Sequence, residues 1–289
     1  MTPSPTSFEL RKNRPHRFDP TLQGHKLTIA YRGTDFSGWQ GQRQAGKRTV
    51  QECIEAALEK LWGAKISLQG SGRTDTGVHG LGQVASFNAP RLHTARVLQR
   101  ALNANLPRDV RIVKCRLVSP AFHARFDATG KTYRYLIWNE FVQDPFTLDT
   151  HWHVPRPLDL SAMRRAARLL LGRHDFASFT SNPGYEREST IRTMKRVSLV
   201  RDGAVLVFHF TAEGYLYRMV RNLVGALAKV GLGKITADDF GKILRARSRS
   251  EAPATAPACG LYLMNVTYPP NRMYGTHRTD RTTDTKAIL

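Results

Sequence analysis

"TVQECIEAALEKLWGAKISLQGSGRTDTGVHGLGQVASF", residues 49–87, carries two periodicities with a glycine-rich insert between them. Val50, Ile54, Ala57, Leu58 and Leu61 recur at the three- and four-residue steps of one helix face. Thr49 and Glu52 have capping-box spacing at its start. "KISLQG" and "QVASF" read as short strands flanking "GSGRTDTGVHG" (70–80). Upstream, "KLTIAY" (26–31) is a strand. Downstream, "TARVLQRALNANLP" (94–107) is a helix stopped by Pro107, and "VRIVKCRLV" (110–118) is a strand. The order is β-α-β-β-α-β.

The second half repeats that order. "KTYRYLIW" (131–138) is a strand and "SAMRRAARLLLG" (161–172) a helix. "TMKRVSLV" (193–200) and "AVLVFHF" (204–210) are strands joined at "RDG". "LYRMVRNLVGALAKVG" (216–231) is a helix, "ADDFGKILRA" (237–246) an extra helix, and "LYLMNVTY" (261–268) the closing strand. The pattern predicts an α+β fold of two ferredoxin-like halves, with antiparallel sheets joined side by side around a basic central cleft. No sequence repeat relates the halves. The expected organisation is a flexible basic arm (1–25), an N-terminal half with the aspartate loop (26–119), a C-terminal half (120–270) and a flexible tail (271–289).

The 289 residues include 44 Lys plus Arg against 23 Asp plus Glu, a formal charge of +21. The ends do not account for it: without residues 1–25 and 271–289, 36 basic and 19 acidic side chains remain, a charge of +17. A field of one sign on the folded part points to a polyanion as partner, with solubility charge as the plainer alternative. Cys53, Cys115 and Cys259 are far apart and form no C-x-x-C pair, so no disulfide framework or thiolate zinc site is expected and a reducing cytoplasm fits. "MTPSPTSFELRKNRPHRF" has no apolar signal core, and no stretch nears the ~18 apolar residues that span a bilayer. A soluble intracellular protein is expected.

Asp75 is the single carboxylate in 70–80, among four glycines. An Asx-type turn bonded to nearby backbone N–H groups is its structural explanation. A metal site would need more ligands than His79, and no H-x-E or C-x-x-C pattern accompanies it. A Walker-type phosphate loop is absent. The remaining functional reading is a lone catalytic carboxylate, nucleophile or base, which must stay ionised and therefore calls for a buried cation partner. Arg73 is two residues away, and Arg218 and Arg221 around "MVRN" (219–222) stand at i, i+3 on the predicted helix. Two solvated arginines gripping phosphate are the alternative.

These residues belong to a longer ordered set: "AYRGTDFSGWQGQ" (30–42), "TVQECIEAAL" (49–58), "GRTDTGVHGLGQVASF" (72–87), "ALNANLP" (101–107), "FHARFDATGKTYRYLIWN" (122–139), "HDFASF" (174–179), "YRMVRNLVGAL" (217–227) and "APACGLYLMNVTYP" (256–269). With all eight in order, the chain resembles the tRNA pseudouridine synthase A family over nearly all of residues 26–270. The resemblance implies that Asp75 is the catalytic aspartate, that Tyr133 stacks on the target base, and that Arg221 pairs with the carboxylate. It further implies that Arg73 helps displace the target nucleotide, that Leu261 lines the uracil pocket, and that His123 and Arg125 contact tRNA. The family isomerises uridines of the anticodon stem-loop, works as a homodimer and needs no cofactor or metal. His79 is expected to be a hydrogen-bonded structural residue, and Tyr31 and Trp39 to pack. The chain departs from the family pattern at Thr76 and in "TSNPGYEREST" (180–190). A non-catalytic RNA-binding protein using the same basic cleft is the competing reading; a carboxylate facing phosphate argues against it. A metal-dependent nuclease or deaminase lacks its ligand set.

Overall fold

A computed structural model describes residues 21–40, 48–182, 184 and 189–270. Most of the N-terminal arm, the C-terminal tail, Gly41 and Gln42 of the first motif, and five residues of the 180–190 segment lie outside these.

The first half runs β1 (Leu22–Tyr31), α1 (Val50–Trp62), β2 (Gln69–Gly70), β3 (His79–Pro90), α2 (Ala95–Asn105) and β4 (Val110–Val118). The second runs β5 (Gly130–Trp138), β6 (Trp152–His153), α3 (Leu160–Arg168), β7 (Gly172–Asp175), β8 (Ile191–Asp202), β9 (Val205–Ala212), α4 (Met219–Gly231), α5 (Ala237–Ala246) and β10 (Leu261–Thr267). This is a mixed α+β fold on one ten-stranded sheet, ordered β4-β1-β3-β10-β5-β9-β8-β7, with β2 beside β3 and β6 beside β5. The halves meet where β10 runs parallel to β3, in the register Tyr262↔His79 and Leu263↔Gly80. Gly82 makes that approach possible, since a Cβ there would stand 2.2 Å from the Met264 carbonyl oxygen.

One face of the sheet carries the helices. Leu27, Ile29 and Tyr31 of β1 pack with Val50, Ile54 and Leu58 of α1 and Leu98 and Leu102 of α2. Tyr133, Tyr135 and Ile137 of β5 and Phe208 and Phe210 of β9 pack with Met163 of α3 and Leu223 and Leu227 of α4. Each fully buried aliphatic contributes about 1.5–3 kcal/mol. Thr49 and Glu52 make the expected capping box, and Gly63 ends α1 at φ 68°.

Several elements differ from the sequence reading: β3 extends back to His79 and on to Pro90, α3 stops at Arg168, and the short strands β6 and β7 carry no signal of their own. β1 begins at Leu22 rather than Lys26, because His25 is taken into the core, stacked on Phe87 at 4.6 Å. β2 is two residues long, pairing only Gln69↔Ser86 and Gly70↔Ala85. α4 starts at Met219: Leu216 and Met219 close a turn, and Arg218 is the N-cap in the left-handed region at φ 58°. Arg218 therefore lies outside the helix, exposed, with its guanidinium 5.0 Å from the Tyr217 ring, and it shares no helix face with Arg221.

Candidate active site

The aspartate loop is fixed by both main-chain and side-chain bonds. At its base, Ser71 N–H donates to Val84 O at 2.7 Å, Gln83 Nε2 donates to Gly72 O at 2.9 Å, and Lys131 Nζ reaches from β5 to Ser71 O at 2.8 Å. At its crest, Val78 N–H closes a turn onto Asp75 O at 3.1 Å. Residues 31–39 lie against the loop as a strap. Trp39 N–H donates to Thr74 O at 3.1 Å, the Tyr31 hydroxyl meets Thr74 Oγ1 at 2.9 Å, and Gly33 N–H donates to His79 Nδ1 at 3.1 Å. Two glycines allow this lamination: a Cβ on Gly33 would lie 2.0 Å from Val78 O, and one on Gly38 would lie 2.5 Å from Thr74 O.

From the other half, α4 presents Arg221. Its Nη1 donates to Asp75 Oδ2 at 2.8 Å, while its Nε donates to Ala256 O at 2.8 Å. Ala256 N–H returns a bond to Arg221 O at 3.1 Å, so residue 256 grips both backbone and side chain. The pair is largely withdrawn from water, at 13% and 17% side-chain exposure. At that burial, removing one partner strands a charge and costs roughly 3–5 kcal/mol. The next residue, Asn222, is fully buried, donating to Phe179 O at 3.0 Å and accepting from Thr255 Oγ1 at 2.6 Å.

Tyr133 lies on the helix-bearing face of β5, opposite Leu263 of β10 and edge-on to Tyr215 at 4.9 Å. Burial, then the proximity of Tyr31 and of Asp75, push its phenol above the usual tyrosine range, so it stays protonated at neutral pH. Leu261 is buried at the start of β10, paired with Tyr135. Arg73 is exposed beside this group, its Nε donating to Gln40 Oε1 at 2.8 Å. His123 and Arg125 are elsewhere, in a turn where His123 Nδ1 accepts from Arg125 N–H at 3.1 Å. Arg125 is exposed, its guanidinium 5.9 Å from the Phe126 ring.

His79 has the structural character expected of it. Nδ1 accepts from Gly33, so the proton sits on Nε2 and is donated to Asp149 O at 3.0 Å. Burial lowers its pKa, which favours this neutral form. The straps at 31–39 and 254–256 and the contribution of Lys131 escaped sequence reasoning; the glycines of "YRGTDFSGW" were the available signal. A depression of about 660 Å3 lined by Leu158, Ala162, Val230, Leu232 and Ile235 shares no residue with the site. Among the described residues, no group of three or more His, Cys, Asp or Glu side chains converges as a metal site would require, and no helix is long and apolar enough to cross a membrane.

Residues 27–127 and 166–269 match the family described as tRNA pseudouridine synthase. The tRNA pseudouridine synthase A of Methylacidiphilum infernorum is 50% identical over 249 residues, covering 86% of this chain and 97% of the relative. That of Solidesulfovibrio magneticus is 47% identical over 248 residues (84% and 90%), and that of Acetivibrio thermocellus 46% over 249 (86% and 100%). The class is therefore an isomerase that modifies RNA. The chain belongs to the tRNA pseudouridine synthase family. Its reaction converts uridine in tRNA to pseudouridine.

Proposed function

We propose that Asp75 is the nucleophile of this isomerisation and that its targets are uridines of the tRNA anticodon stem-loop. The observation that carries the reading is the ion pair of Asp75 and Arg221, 2.8 Å apart and drawn from opposite halves. The reaction breaks the C1′–N1 bond of a uridine, turns the base and joins C1′ to C5; C5 gives up a proton, N1 ends with one, and no atoms are gained or lost. Arg221, held at Ala256, aims the carboxylate. The target base leaves its stack, which costs a few kcal/mol. Stacking on Tyr133 returns ~1–3 kcal/mol. Leu261 walls the uracil pocket and excludes water, and exposed Arg73 takes part in displacing the nucleotide. His123 and Arg125 extend the contact along the RNA, Arg125 through its free guanidinium and His123 by shaping the turn.

The architecture behind this reading is two ferredoxin-like halves with a basic cleft between them. It is supported by strand order: β4-β1-β3-β2 and β10-β5-β9-β8 both run fourth, first, third, second. In the same reading residues 26–119 and 120–270 are the two halves, flanked by basic arms, and the enzyme works as a homodimer in the cytoplasm without cofactor. Mapping pseudouridine in tRNA from cells lacking this protein tests the reading. Loss confined to anticodon stem-loop uridines is expected; loss at other positions only would refute the assigned target.

A further inference from the structure

The sheet face away from Tyr133 carries a group of cationic side chains that the isomerisation does not use. Arg134 of β5 stands directly across from His209 of β9, and His209 across from Ser198 of β8. Arg196 is opposite Thr211, one step along the same face. Directly paired side chains on one sheet face have Cβ atoms about 4.5–5.5 Å apart. His209 registers both neighbours: burial, then the charges of Arg134 and Arg196, lower its pKa.

Among the described residues this group lacks a counter-charge. Arg134 Nε is buried and has no hydrogen-bond partner among them, and its guanidinium lies against the Tyr262 ring, 5.1 Å away. Among the described residues, neither Arg134 nor Arg196 has a carboxylate within ion-pair distance; the acids Asp149, Glu140, Asp175 and Asp75 pair with other arginines. A buried donor without an acceptor calls for an explanation, and an unsatisfied charged donor costs more than a neutral one. Two guanidiniums offer only donors, and the Ser198 hydroxyl across from His209 can donate as well, while the Thr211 hydroxyl is bonded to that of Thr132 at 3.0 Å. Two guanidiniums on either side of His209, without an acid among the described residues, match a tetrahedral oxyanion better than a water molecule, which could answer one N–H but not the charge.

We propose that Arg134, Arg196 and His209 form a phosphate-binding site on the sheet face opposite the Asp75–Arg221 pair. Its ligand is a phosphate group, carried on an RNA backbone or free in solution. The proposal does not depend on Asp75 being the nucleophile, and pseudouridine formation by the wild type, measured alongside, reports on that reading separately.

The test compares the full-length wild type with Arg196→Met, His209→Asn and Arg134→Met; Arg196 is exposed, so its substitution leaves folding intact even if the Arg134 variant fails. In the first arm, melting midpoints are followed against inorganic phosphate and against chloride at matched ionic strength. The second arm measures tRNA affinity across a salt series. For a free-phosphate site, phosphate raises the wild-type midpoint saturably, the variants lose that rise, and tRNA affinity is unchanged. For a site that takes the RNA backbone, the variants bind tRNA several-fold more weakly and the slope of log K against log salt falls by about one per charge removed, whether or not free phosphate registers. If the variants keep any phosphate response of the wild type and also keep its tRNA affinity and salt slope, the site does not exist.

Discussion

Asp75 and Arg221 meet at 2.8 Å, yet the chain holds the two charges by opposite means. Asp75 rides on a loop whose shape is imposed by an earlier strap, residues 31–39, and the glycines that permit the contact, Gly33 and Gly38, belong to the strap. Arg221 rides on α4, and the strap that grips it, around Ala256, comes later in the chain. There the permissive glycine is in the helix: a Cβ on Gly225 would stand 2.1 Å from Ala254 O. A loop yields when pushed, whereas a buried helix makes its neighbour yield. The carboxylate is thus the more easily misplaced member of the pair, and the arginine is the fixed reference against which it is set.

The harshest way to break this comparison is to remove the yielding charge. Asp75→Asn should lower pseudouridine formation by roughly 10⁴- to 10⁶-fold, the range that spans loss of an orienting carboxylate and loss of a nucleophile, while filter-binding affinity for tRNA stays within a few-fold. Retained turnover would exclude Asp75 as nucleophile. Arg221→Lys keeps the charge but loses the rigid fork that serves Asp75 and Ala256 O from separate nitrogens, and a misplacement near 1 Å costs about 10²-fold. Single-turnover rates would show it, with tRNA affinity little changed.

The two straps can be set against each other directly. Gly33→Ala drives a methyl into Val78 O and should displace the aspartate loop, lowering the single-turnover rate roughly 10- to 100-fold. Gly225→Ala should instead lift the 254–256 strap, releasing Ala256 from Arg221 while the ion pair survives, for a loss nearer 10-fold or below. Each overpacks its site by about 1–3 kcal/mol, readable in urea midpoints. If Gly225→Ala proves the slower enzyme at equal stability, the helix is the yielding partner and the comparison is inverted.

The smallest difference between variants lies outside the site. Burial lowers the pKa of His25 to about 4, with a backbone bond to Gln23 opposing it weakly. The folded state therefore resists protonation that the unfolded chain accepts near 6.5. The neutral side chain's contribution is fully present above pH 6.5 and is lost as pH falls toward 4, a change of roughly 2–3 kcal/mol. Other buried histidines act with the same sign, so the wild type should be compared with His25→Phe, whose urea midpoint should fall less between pH 7 and pH 4.5.

Much of this frame was legible in the chain. α5 and β4 have the predicted bounds, and α1 lies within a residue or two, because each shows a full apolar period and a cap or stop of its own. Asp75 and Arg221, 146 residues apart, were paired through resemblance rather than periodicity. What stayed hidden depends on partners distant in sequence. β6 is two residues that become a strand only beside Ile137 and Trp138. The placement of His25 follows from Phe87 and Trp62, and the start of α4 from a turn that apolar spacing cannot register. The straps were invisible because most of their bonds have a main-chain group on at least one side, which side-chain patterns do not encode.

The position of β10 has a consequence for how the enzyme is made. The strand that joins the halves is the last of the described strands to be translated, yet it lies between β3 and β5 near the middle of the sheet. At ribosomal rates of 5–20 residues per second, roughly 10–40 s separate the synthesis of Asp75 from that of Leu263. Through that interval the β3 edge at His79 and Gly80 waits uncovered. A nascent chain on the ribosome thus holds its carboxylate early and becomes an enzyme only once β10 has been made.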